Sequence, residues 1–102
     1  MNIICTAYTA SADECGNDSG ITASGTQASV NRGTIAVPSD ISFGTKIYIK
    51  ELNRTLTAED RGSQSYIRRI NGNTIRIDIF MNSKAEAEAF GVKKYNGYIV
   101  NN

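Results

Sequence analysis

The chain contains no histidine, so acid and base work at neutral pH falls to carboxylates. The same absence removes histidine-based triads and most catalytic zinc sites. Two aspartates stand where a carboxylate is useful. Asp78 lies at the centre of NTIRIDIFM, Asn73 to Met81, where Ile75, Ile77 and Ile79 alternate with Arg76, Asp78 and Phe80. This alternation predicts a strand with one buried isoleucine face. Aspartate is depleted in strands, and a carboxylate beside an apolar core must be solvated or paired. Asp60, in TLTAEDRGS, closes another strand just before a glycine turn, where a rigid scaffold commonly presents reactive groups. Two carboxylates converging from separate strands repel, which keeps the less solvated one protonated as a general acid must be. Arg61 and Arg76 supply the plainer alternative, in which outward-facing carboxylates are balanced by guanidinium counter-ions.

The remaining candidates have weaker settings. Glu86 and Glu88 belong to a predicted solvated helix face, and Asp13, Glu14 and Asp18 to a glycine-rich loop suited equally to turns and to sugar contact. Cys5 and Cys15 are too few for a structural zinc site. A local disulfide, two buried thiols and a nucleophile without a histidine to activate it all stay open; a bridge would imply an oxidising exterior.

Short β-rich runs must position these side chains: Ile3 to Tyr8, Thr34 to Val37, Lys46 to Ile49, Thr55 to Glu59, Ile67 to Ile70, Thr74 to Phe80 and Tyr95 to Val100. Turn-formers separate them, so the pattern predicts a mainly β fold, a small barrel or sandwich. Asn71-Gly72 predicts a tight hairpin with positive φ at both central residues, pairing Tyr66 to Ile70 with Asn73 to Ile77. One short helix is expected in NSKAEAEAFG, capped by Ser83 with Glu86 and stopped by Gly91. Its barrel-facing residues are expected to be Ala85, Ala89 and Val92, or Phe90 from the neighbouring row.

At 102 residues the chain is a single domain, 1–102. Eleven basic and ten acidic residues nearly cancel, which argues against phosphate-driven nucleic-acid binding. No apolar run approaches the roughly twenty residues of a membrane helix. The start, MNIICTAYTA, lacks the basic and long apolar regions of a signal peptide. Export would then depend on a segment outside this chain, or release on a phage particle or host lysis.

The segments CTAYTAS, GITASGT, IAV…FGTKIYI, AEDRG and IRIDIF occur in the order and spacing of the 3D domain, a bacterial and phage module named for three aspartates, which this chain resembles from Cys5 to Val100. The resemblance implies a six-stranded double-psi β-barrel and lytic transglycosylase activity on peptidoglycan glycan strands. Such enzymes cleave between N-acetylmuramic acid and N-acetylglucosamine without a cofactor, leaving a 1,6-anhydromuramic end. Position by position, Asp78 matches the catalytic aspartate and Asp60 the second acid. The third acid falls at Asp40, because Pro38 occupies its usual place. Tyr8 would stack on a pyranose face, Thr22, Ser24 and Lys46 would bond sugar hydroxyls, and Gly62 opens the glycan-fitting loop, here RGSQSYIRRINGN in place of the family's usual GGAIKG. The resemblance places the domain at the cell wall, with wall-binding or peptidase domains as companions. Competing expectations are an inverting hydrolase using Asp60 and Asp78, a glycan-binding module without catalysis, and a structural piece of a phage tail or lysin.

Overall fold

The computed structural model describes residues 1–10 and 20–100; Asp13, Glu14, Cys15 and Asp18 lie outside the described residues. Seven strands run as β1 (Asn2–Tyr8), β2 (Thr34–Ala36), β3 (Lys46–Ile49), β4 (Arg54–Asp60), β5 (Arg69–Asn71), β6 (Thr74–Phe80) and β7 (Lys93–Val100), with helix α1 (Lys84–Phe90) between the last two. Six of them close a ring in the order β1-β7-β3-β4-β2-β6, which returns to β1, and β5 hangs on β6 outside it. The expected mainly β barrel with one short helix near the C-terminus is therefore present. Two parallel pairings, β1 with β6 and β2 with β4, are set among antiparallel ones.

Alternation builds the core. Ile75, Ile77 and Ile79 of β6 meet Ile3 and Cys5 of β1, Ile35 of β2, Ile47 and Ile49 of β3, and Leu56 and Ala58 of β4 in one buried cluster. β-branched side chains suit this role, because their stiffness at χ1 costs little on a pleated surface. A smaller cluster of Tyr8, Ala36, Ile67 and Phe80 lies on the other side of the same strands. The ring is tight at Gly97, where an added Cβ would stand 2.0 Å from the Tyr48 carbonyl oxygen.

Three local expectations resolve differently. The hairpin forms, but Arg69 aligns with Ile75 and Asn71 with Thr74 across an irregular register. Neither Asn71 nor Gly72 has positive φ. Instead the Asn71 side chain accepts a hydrogen bond from the Asn73 amide at 2.9 Å, an Asx turn that replaces the primed geometry. Helix α1 is capped as expected, with the Glu86 amide donating to Ser83 Oγ at 3.1 Å and Gly91 at φ 64. Of the residues expected to face the barrel, Phe90 does, with Ala87 buried three residues before it, whereas Ala85, Ala89 and Val92 are exposed, since residues three apart share the face that lies on the barrel.

Strand β4 is irregular near its end. Thr34 aligns with Thr57 and Ile35 with Ala58, but Ala36 aligns with Asp60, so Glu59 is an extra residue. Strict alternation would send Asp60 inward after Leu56 and Ala58. The bulge turns it to the other face.

Candidate functional site

Register places the two aspartates on one line. Asp78 of β6 aligns with Thr6 of β1 and with Ala36 of β2, and Ala36 aligns with Asp60 of β4. Directly aligned residues project from the same face, so Thr6, Asp78, Ala36 and Asp60 form a row across four strands. With neighbouring strands about 4.8 Å apart, the backbones of Asp78 and Asp60 stand about 10 Å apart along the sheet. The residue between them is an alanine, buried in one cluster with Tyr8, Ile67 and Phe80.

Their environments differ. Asp60 is saturated: Oδ1 accepts from the amides of Ala23 at 3.0 Å and Arg61 at 2.9 Å, and Oδ2 accepts from the Tyr8 hydroxyl at 3.0 Å. Asp78 is half-buried, and its Oδ1 lies in a hydrogen bond with the Thr6 hydroxyl. That same hydroxyl is 3.3 Å from the Ile77 carbonyl oxygen. The arginines expected as counter-ions do other work. The Arg61 guanidinium lies 4.1 Å from the Phe43 ring centroid and that of Arg76 5.1 Å from the Tyr66 centroid, contacts that favour cations electrostatically. Among the described residues, neither takes part in an ion pair.

Asp40 stands outside this row, in the turn after β2, where its Oδ2 is 2.6 Å from Arg69 Nε in a half-exposed ion pair. Tyr8 is 6% exposed and meets Phe80 edge to face at a centroid distance of 5.6 Å, so its ring is packed while its hydroxyl holds Asp60. Thr22 and Ser24 join Thr26 in a triangle of hydroxyls, each pair 2.8 to 3.1 Å apart. The Ser24 amide donates to the Glu59 carbonyl at 3.0 Å, docking this turn on the end of β4. Lys46 Nζ donates to Thr57 Oγ1 at 3.0 Å, one strand over from the row and nearer the start of β4. Gly62 has φ +62, and an added Cβ would lie 3.3 Å from Ile67 and 3.4 Å from Ala36. Only a residue without a side chain keeps that loop close over the row.

Sequence reasoning missed two groups. Thr6 was unmarked because its partner is far away in the chain. Glu59, 6% exposed, receives two bonds from the Arg32 guanidinium, at 2.8 and 2.9 Å, and one from the Thr34 hydroxyl at 2.6 Å. The Arg32 hydrogen bonds hold its carboxyl below the usual glutamate range, against the effect of burial. Cys5 is a fully buried thiol, pushed up to about 12 by burial first and then by the charges of Glu51 and Asp78; its pairing with Cys15 lies outside the described residues. Among the described residues, no three histidine, cysteine, aspartate or glutamate side chains gather as a metal site, and no helix is long and apolar enough to cross a membrane.

A closed barrel bearing one saturated and one half-buried aspartate on a shared face defines a small carboxylate-bearing β-barrel module. The chain belongs to the 3D domain family, whose model matches residues 33–101. It is 34% identical over 104 residues to the "Cell wall-binding protein YocH" of Bacillus subtilis (strain 168), a match that takes in 99% of this chain and 32% of that protein. The chain thus spans about a third of the length of that relative.

Proposed function

We propose that this domain is a lytic transglycosylase of peptidoglycan, with Asp78 as its acid and then its base. Asp78 gives its proton to the glycosidic oxygen between N-acetylmuramic acid and N-acetylglucosamine as that bond breaks. The C6 hydroxyl of the muramic residue then attacks the anomeric carbon of the same sugar and returns its proton to Asp78. The ring closes as a 1,6-anhydro product, and no water is consumed.

The observation that carries this reading is the contrast between the two aspartates. Glycosidases that use water or a covalent intermediate need two working carboxyl groups. Asp60 has both oxygens engaged by two amides and a phenol, so it serves better as an anchor than as a base. The intramolecular route needs one acid, and Asp78, half-buried and bonded to the Thr6 hydroxyl, can supply it. The negative charge of Asp60 favours the developing positive charge on the sugar. Thr22, Ser24 and Lys46 provide polar contacts along the strand end, and Gly62 sets the height of the loop above Ala36. The natural partner is then a glycan strand of the cell wall, met outside the cytoplasm, with further domains of a longer protein holding it there.

Asp78→Asn keeps the shape and removes the exchangeable proton. Muropeptide release from purified sacculi is expected to fall at least about a hundredfold, the usual scale of acid catalysis, and wild-type products should be one water lighter than reducing-end fragments by mass spectrometry. Equal release by the two proteins would overturn the assignment.

A second reading, a wall-glycan binder without catalysis, is favoured by the name of the relative and by the neutralisation of Asp40 by Arg69. Tight binding of the wild type to sacculi with no soluble product would establish it.

A further inference from the structure

Thr6 holds one hydroxyl hydrogen between two acceptors, the carbonyl oxygen of Ile77 and Oδ1 of Asp78. An ionised Asp78 can only accept, so the hydrogen must then point to Oδ1. A neutral Asp78 that carries its transferable proton on Oδ2 still accepts from Thr6 at Oδ1, with the Ile77 carbonyl as a second acceptor for the same hydrogen. Both arrangements use the same heavy-atom positions. We propose that Thr6 is a positioning residue that holds the Asp78 carboxyl in one orientation through both protonation states, so that it need not turn as its proton leaves and returns. The site is built for this: Thr6 and Asp78 are aligned partners in a parallel pairing, the hydroxyl is part-buried, and the second acceptor belongs to the backbone of β6 and cannot swing away. Thr6 precedes the stretch matched by the family model.

The proton count balances without any outside group. When the glycosidic oxygen takes the proton from Oδ2 of Asp78, Oδ1 keeps its bond from Thr6; when the muramic hydroxyl returns a proton to Oδ2, that bond is again unbroken. This inference rests on the proposed reading of Asp78 as the acid. Among the described residues, the charged groups aligned on its face of the neighbouring strands include Arg76 on β6, Asp60 on β4 and, across Ile4 of β1, Lys94 on β7; β1 and β2 contribute Thr6 and Ala36 to the row and no charge.

The test compares Thr6→Val, which keeps the branched shape, with Thr6→Ser, which keeps the hydroxyl. A hydrogen bond to a carboxylate is stronger than one to a neutral carboxylic acid, so Thr6→Val is expected to move the midpoint of the Asp78 carboxyl titration upward by about one pH unit. The measurement is carbon NMR on aspartate-labelled protein, with Asp78→Asn used to assign the signal. Thr6→Ser is expected to titrate within a few tenths of wild type. In the pH profile of muropeptide release, the limb due to Asp78 should move in parallel, with turnover reduced for Val and rescued by Ser, while binding to sacculi stays unchanged. Coincident titrations of wild type and Thr6→Val would overturn the proposal; Thr6→Ala carries the same comparison if the valine variant does not fold. Failure of the activity reading shows separately, as absence of product from wild type while the titration shift persists.

Discussion

At the scale of single residues, two carboxylates at the end of β4 are bound into the fold. Glu59 and Asp60 are consecutive, yet both are consumed structurally, the first by Arg32 and Thr34 and the second by Tyr8 and two amides. For Glu59 the linkage has a definite sign. Its folded carboxyl is held below the ordinary glutamate value, so its contribution to stability is present above that value and is lost as pH falls through the lowered one. Arg32→Gln is therefore expected to lower the melting temperature by a few degrees at neutral pH, and the difference from wild type should shrink as pH falls below the ordinary glutamate value, vanishing only once the lowered wild-type carboxyl is protonated too. Thermal melts followed by circular dichroism across that range check it; a difference that stays constant with pH would mean that Arg32 acts by packing alone.

At the scale of elements, much of the architecture was legible because period-two alternation is a local signal. The runs Lys46 to Ile49 and Thr74 to Phe80 coincide with β3 and β6, and the capping residues Ser83 and Gly91 bound the helix. What escaped was set by partners distant in sequence. The bulge at Glu59 exists only relative to β2, and Leu56, Ala58, Asp60 reads along the chain as an unbroken inward series. The partner of Asp78 is 72 residues away. The turn at Asn71-Gly72 was misjudged in type because the Asn71 side chain, a competitor for backbone bonding, decided the geometry. Close approach of backbones is equally invisible locally. Gly97 sits opposite Ile49 in the β3–β7 pairing, and a methyl group there would collide with the Tyr48 carbonyl and come within 2.9 Å of Ile3. Gly97→Ala is expected to separate β7 from β3 and leave little folded protein, seen as loss of the cooperative melt. A variant that melts like wild type would show that the ring has slack at this point.

At the scale of the whole molecule, the barrel encloses a core from which solvent is excluded, and Cys5 reports on that exclusion. Its thiol is wholly buried and pushed up to about 12, so little thiolate exists at neutral pH and reagents cannot reach it. In a Cys15→Ser variant, iodoacetamide labelling of Cys5 is expected to proceed only as fast as the barrel opens, rising steeply through the denaturant transition. Rapid labelling in native buffer would mean that the β1 side of the barrel is permeable. Among the described residues, the paired architecture leaves β5 with a free edge, and that strand is three residues long and carries Arg69, features that discourage edge-to-edge association.

The wiring of β1 has a temporal meaning. Its hydrogen-bonded neighbours are β6 and β7, which begin at Thr74 and Lys93, so the first strand synthesised waits for the last two before it can be paired. A polypeptide emerging from a ribosome would close this barrel only after Lys93–Val100 has emerged, and until then Ile3 and Cys5 have no interior to enter. Such late closure keeps this stretch of the newborn chain threadable until its seventh strand is made.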